Sequence, residues 1–166
     1  MTLEEDIDLF RQVPLLADFT DEQLRLLAFG SEDRVLAAGT VLFEAGDRGS
    51  TAYLVGSGRI ELRSADDRQL LAMVKPGTLI GETALMTETV CQNRAVAGEE
   101  TEIVQIRRSL FRRILREYPD LAVRIYQAYA DRLKGTIRDL NRVRDSLVAI
   151  DPEAGEPFTD SLGEDG

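Results

Sequence analysis

Histidine and tryptophan are absent from the chain, and cysteine occurs once, at Cys91. Without histidine, neither a Ser-His-Asp nor a Cys-His arrangement can form, and the commonest metal ligand is missing. One cysteine leaves no internal disulfide and no cysteine cluster for zinc. Aromatic residues make up 6 % of the 166 residues, too few for the stacking platforms that hold single-stranded nucleic acid. No apolar run reaches the roughly 18 residues of a membrane span. The start, Met1-Thr2-Leu3-Glu4-Glu5-Asp6, is acidic and lacks the basic opening of a signal peptide. These absences point to a cytoplasmic protein that does not contact membrane.

The residues that are present suffice for one core, since 43 % of them are apolar. The net charge of −10 argues against a general nucleic-acid binder. That charge is uneven. Residues 151–166 hold six acids, no Lys or Arg, two Pro and three Gly, the composition of a disordered tail. The rest has 20 basic against 24 acidic residues, a net charge of −4, and eleven of the basic residues fall between Arg107 and Arg144. Solvated helix faces explain such a segment most simply; pairing with the acidic tail, or a docking face, is the alternative.

Leu3, Ile7 and Phe10 share a helical face, and Pro14 ends the pattern. Thr20 with Gln23 three residues on predicts a capping box for a second helix, closed by Gly30. From Val35 the period drops to two. Short apolar runs at 35–36, 41–43, 53–55, 60–63, 70–74, 79–80, 95–97 and 102–106 alternate with turn residues, which predicts a small jelly-roll β-barrel. Beyond Arg107 the helical period returns, with Ser109 expected to cap the stretch from Leu110 to Glu117. Pro119 opens a long helix to about Ile150, expected to dimerise, with a helix packed back on the β-barrel as the alternative. Ile125, Leu133, Ile137, Leu140 and Leu147 are its expected dimerisation residues, and the spacings of four, three and seven from Leu133 onward resemble a coiled-coil seam. The expected fold is mainly β with flanking helices. Its expected segments are a β-roll with flanking helices at 1–118, a dimerisation helix at 119–150 and a tail at 151–166.

Chemistry concentrates in Pro76-Gly77-Thr78-Leu79-Ile80-Gly81-Glu82-Thr83-Ala84-Leu85. A strand runs through a Gly-rich turn into a short helix, whose first amides could cradle an anion such as phosphate. A carboxylate at Glu82 would suit a ribose hydroxyl and would repel the phosphate. Turn geometry accounts for Gly46, Gly56, Gly58 and Gly77; Gly81 is set apart as a ligand residue.

The whole order resembles the cyclic nucleotide-binding domain family over about residues 5–148. It comprises paired helices, Phe43-Glu44-Ala45-Gly46-Asp47, the run from Tyr53 to Ile60, Pro76 to Leu85, a closing strand and a long helix. The resemblance implies that amides of Thr83, Ala84 and Leu85 meet the cyclic phosphate and that Gly81 and Glu82 match the family's Gly and Glu. It also implies an Arg nine or ten residues after the Glu, pairing with the phosphate. Those positions hold Cys91 and Gln92. Fifteen residues before Ile106, the second anchor, is again Cys91. Arg94 lies three residues further on, an odd step that turns it to the opposite strand face and displaces it by roughly 10 Å.

Loss of one partner from a buried Arg–phosphate pair costs about 2–5 kcal/mol, a weakening of roughly thirty- to several-thousand-fold. Thr83, Gln92 and Asn93 could restore part of it. For Cys91 itself, a small filler is the simpler reading, and a thiol with its pKa lowered by the helix N-terminus is the alternative.

The resulting expectation is a non-enzymatic cytoplasmic regulatory module with a degenerate phosphate-binding cassette. It would bind cyclic AMP or cyclic GMP weakly or not at all and would need no other cofactor. It would act through a protein partner, as a homodimer or in complex with another regulator. In the catabolite-activator branch a DNA-reading segment follows the long helix; here only the acidic tail follows Ile150, so direct DNA binding is not expected. The alternative is a stand-alone cyclic AMP or cyclic GMP receptor using Arg94 and Glu82. A cupin-type enzyme would need histidine ligands that the chain lacks.

Overall fold

Two capping boxes start the first helices. Thr2 accepts from the Glu5 amide while Glu5 accepts from the Thr2 amide, opening α1 (Leu3–Phe10). Thr20 and Gln23 do the same for α2 (Asp21–Gly30). Each box satisfies two amides that a helix start leaves without partners. A 3-10 turn at Pro14–Leu16 joins them. The computed structural model describes residues 1–150, with side chains placed at 1–135, 138–142 and 144. The acidic segment 151–166 and the side chains of Ile137 and Leu147 lie outside the described residues.

Ten strands follow: β1 (Glu32–Leu36), β2 (Val41–Phe43), β3 (Arg48–Gly49), β4 (Thr51–Ser57), β5 (Ile60–Arg63), β6 (Leu70–Val74), β7 (Leu79–Ile80), β8 (Thr89–Val90), β9 (Arg94–Ala97) and β10 (Thr101–Arg107). The short helix α3 (Glu82–Met86) lies between β7 and β8, and α4 (Arg108–Glu117) and α5 (Pro119–Ile150) close the described chain. One sheet runs β1-β10-β4-β7, a second β2-β9-β5-β6, and β3 pairs with β8 alone. All pairings are antiparallel. The expected jelly-roll fold with flanking helices is the observed one.

Alternation places the core. In β4, Ala52, Leu54 and Val55 are buried, and in β10 Thr101, Ile103, Val104 and Ile106. Leu36, Val55, Ile60, Val74, Ile80, Ala95, Ala97 and Ile103 form one buried apolar cluster of the two sheets. Each large member stabilises the fold by about 1.5–3 kcal/mol through burial. A second apolar set joins the helices, where Phe19 stacks on Phe111 at 6.0 Å.

Two compact units divide the chain, Met1–Ile125 and Tyr126–Gly166. The boundary falls inside α5, seven residues beyond the expected 118. Leu121 and Ile125 are 2 % and 1 % exposed, so the first two turns of the helix belong to the core of the first unit. Ile125 is therefore corrected from a dimerisation residue to a core residue. In the second unit Leu133 and Leu140 are exposed. Ser109 is not the cap of α4, which starts at Arg108 with Arg107 as its N-cap and no capping side chain. The pair β3–β8 was not expected, because two-residue strands carry no periodicity to read.

Candidate functional site

A cavity of about 390 Å³ lies in the first unit, where α3 and the β3–β8 pair meet the sheets. Its apolar wall comes from Leu42, Phe43, Tyr53, Leu62 and Ile80. Phe43 and Tyr53 stack there with ring centroids 5.9 Å apart. The polar part includes Ser50, Thr51, Thr83, Gln92 and Asn93. Asp47 and Arg48 also line it and are the charged members among its described residues, so their formal charges cancel.

The turn Glu44–Asp47 anchors one side. The Glu44 amide donates to Asp47 Oδ2 at 2.9 Å, and Gly46 takes a left-handed φ of 94°. The Gly46 amide donates to the Cys91 carbonyl at 2.8 Å, and the Cys91 amide to the Asp47 carbonyl at 2.8 Å. This ladder fixes Cys91 against the cavity, half-exposed and unpaired as a thiol. Burial pushes its pKa up, and the Asp47 carboxylate pushes it further the same way. The expected alternative of an activated thiol is thereby corrected: a nearby carboxylate and partial desolvation both disfavour the thiolate.

Arg108 ties the opposite side. Its guanidinium Nη1 donates to the carbonyls of Gly49 at 3.2 Å, Ala84 at 3.4 Å and Thr87 at 3.0 Å. Its backbone amide donates to the Ser50 carbonyl at 2.9 Å. One residue at the head of α4 thus holds both the β3 edge and the C-terminal end of α3. Nothing in the spacing of the sequence singles it out, since its acceptors are backbone carbonyls 21 to 59 residues away.

Of the residues expected at the site, Gly81, Thr83, Ala84, Cys91 and Gln92 line the cavity, while Glu82, Leu85 and Arg94 are not among its lining residues. Leu85 is 1 % exposed and lies on the core side of α3. Glu82 is half-buried and makes its own contact within the chain. Arg94, on β9, pairs with Glu44 at 3.2 Å and Asp67 at 3.0 Å. The Ala84 amide, expected to be free for phosphate, donates to the Gly81 carbonyl at 2.9 Å. Gly81 has φ 80°, and a Cβ there would sit 3.2 Å from the Thr51 carbonyl oxygen, so the backbone alone requires glycine at this position. Gly56, by contrast, has no positive φ, and the expected turn geometry is corrected there: a Cβ would instead strike the Met1 side chain at 2.6 Å.

Arg48 is the lining residue the sequence did not flag. It stands opposite Val90 in the β3–β8 pair and has no hydrogen-bond or ion-pair partner among the described residues. Its only sequence signal is an Arg next to Gly and two hydroxyl residues in a turn-rich stretch. No group of three or more potential metal ligands occurs among the described residues. No described helix is long and apolar enough to cross a membrane.

A family model, the cyclic nucleotide-binding domain, matches residues 33–118. In sequence, the chain is 31 % identical over 124 residues to the cyclic AMP receptor protein of Thermus thermophilus, covering 73 % of this chain and 57 % of that protein. It is 33 % identical over 118 residues to a lysophospholipase of Neurospora crassa, covering 67 % of this chain and 8 % of that one. The chain thus spans just over half of the receptor protein and under a tenth of the lysophospholipase. Among solved structures, a cyclic nucleotide-binding-like protein from Brucella abortus matches at 45 % identity and a TM-score of 0.63, over 68 % of this chain and 98 % of that one. The N-terminal domain of a transcriptional regulator from Streptomyces coelicolor matches at 33 % identity and a TM-score of 0.71, over 78 % of this chain and 94 % of that one.

Proposed function

Because the chain belongs to the cyclic nucleotide-binding domain family, we propose that it is a non-enzymatic cytoplasmic regulatory module whose nucleotide cavity is degenerate and whose output passes through a protein partner. One observation carries this reading: Cys91 lines the cavity at the position where the family resemblance calls for an Arg, and the nearby Arg94 is engaged by Glu44 and Asp67. A phosphate entering the cavity would meet a neutral thiol and the Asp47 carboxylate on that side. The lining carries no net formal charge to attract an anion. For Arg94 to reach inward it would have to give up two ion pairs.

Residual affinity then falls to Arg48, the cation on the cavity wall. Being solvent-exposed, it is a weaker clamp than a desolvated guanidinium, since water screens the pair. The module is proposed to work as a homodimer or with another regulator, through the exposed Leu133 and Leu140 of α5, seven residues apart.

Calorimetric titration with cyclic AMP and cyclic GMP tests the cavity. The wild-type chain is expected to bind with a Kd near or above the millimolar range. Cys91→Arg is expected to tighten binding by roughly thirtyfold or more, since a buried charge-assisted pair is worth about 2–5 kcal/mol. Micromolar binding by the wild type that is lost in Arg94→Ala would refute the proposal in favour of a true receptor. The same loss in Arg48→Ala would make Arg48 the functional clamp.

A further inference from the structure

The exposed face of α4 carries a cluster of arginines that do not line the nucleotide cavity. A groove of about 670 Å³ is lined by Arg107, Arg108, Arg112, Arg113 and Arg116. The rest of its lining is three hydroxyls, from Ser50, Thr51 and Ser109. The opposite face of the helix buries Phe111, Ile114 and Leu115, which fixes its rotation and holds Arg112, Arg113 and Arg116 outward.

Two of the five guanidiniums are already engaged. Arg107 reaches Glu32 at 3.5 Å, and Arg108 holds the carbonyls of Gly49, Ala84 and Thr87. Arg112, Arg113 and Arg116 have no hydrogen-bond or ion-pair partner among the described residues. This is notable in a chain with 30 acids against 20 bases. Arg108, Arg112 and Arg116 stand four apart, and Arg113 and Arg116 three apart, so like charges repel along the helix. A bound anion would relieve that repulsion.

The composition of the lining narrows the ligand. The groove's own lining has no aromatic residue to stack a base and no aliphatic side chain; the apolar side chains of Leu26, Phe29 and Leu110 lie beyond it, across Arg107, Ser109 and Arg113. What remains is an array of forked donors and hydroxyls. Arg112 and Arg116 are spaced about 6 Å along the helix axis. Guanidiniums in such an array bind phosphate oxygens bidentately. An anion with several phosphates in a row meets all three unpaired arginines at once, whereas an acidic peptide carries one charge per residue and splits them between two sides.

We propose that the arginine face of α4 is a binding site for a soluble oligophosphate anion, separate from the nucleotide cavity. The site does not depend on the state of Cys91 or on any nucleotide binding. Ser50 and Thr51 also line the cavity, so the test must separate the two.

Inorganic triphosphate is titrated into the full chain by calorimetry in magnesium-free buffer, at two salt concentrations. Binding is expected, weakening as salt screens the charges. The triple variant Arg112→Gln, Arg113→Gln, Arg116→Gln is expected to lose at least tenfold in affinity. The matching triple Lys variant should retain more than half of that lost affinity on a logarithmic scale. Arg48→Gln, in the cavity, should leave triphosphate binding unchanged. The three side chains are exposed, so the fold tolerates both triples. Absence of triphosphate binding overturns the proposal, as does binding that survives the Gln triple or that disappears in Arg48→Gln. Hexaglutamate binding as tightly as triphosphate, or capture on phosphatidylglycerol vesicles without affinity for free triphosphate, overturns it in favour of a peptide or a lipid surface.

Discussion

Asp6 shows how one side chain sets a pH response. It lies on α1, 4 % exposed. Burial is the larger cause pushing its pKa up to about 7, and the nearby Asp33 carboxylate adds to it by charge and by hydrogen bonding. Glu5 acts in the same direction and the chain's amino terminus in the opposite one. An acid whose folded-state pKa lies above its unfolded value holds an extra proton when folded. Stability is therefore greatest below about pH 4 as far as this group is concerned. It declines as pH rises towards 7 and is level above that. Urea unfolding at pH 5 and pH 8 checks this. Asp6→Asn is expected to flatten the difference between the two, by about 2 kcal/mol on the linkage relation. An unchanged difference would mean that another group carries it. Cys91 is the counter-case: its pKa is raised too, but at a thiol on the cavity wall, where the consequence is less thiolate near neutral pH.

At the scale of elements, α4 and α5 have two kinds of work. Arg108 at the start of α4 joins the β3 edge to the end of α3, so the walls of the cavity are held by a helix outside it. Arg108→Met keeps the aliphatic stem and removes the donors, leaving three carbonyls to find water. The expected cost is about 1–3 kcal/mol in unfolding free energy. Faster amide exchange in α3 than in the distant α1 would accompany it. Equal acceleration in both helices would show that Arg108 acts on the whole fold and not on the cavity. In α5, Ile125 is committed to the core while Leu133 and Leu140 are exposed. If these leucines form a seam, Leu133→Glu with Leu140→Glu shifts the full chain from dimer to monomer in sedimentation velocity. Dimers that persist would remove α5 as the interface, and a wild-type monomer would remove the dimer altogether.

On the scale of the molecule, the sequence determined the architecture because the fold is written in local periods. The period of two across 35–106, the helical period on either side, the capping box at Thr20 and the turn residues between the runs are properties of near neighbours, and the observed sheets follow them. That Cys91 lines the cavity was legible for the same reason, since its place is a count along the chain. What only the tertiary structure decided are contacts between residues far apart in sequence. Arg48 faces the cavity because β3 pairs with β8 some forty residues later. Arg94, already turned away by its odd step along the strand, finds its partners in Glu44 and Asp67. Ile125 became core because two turns of α5 pack into the first unit. Pattern along a chain specifies which face a residue shows, but the partner on that face is supplied by packing, and charge pairing and burial depend on the partner.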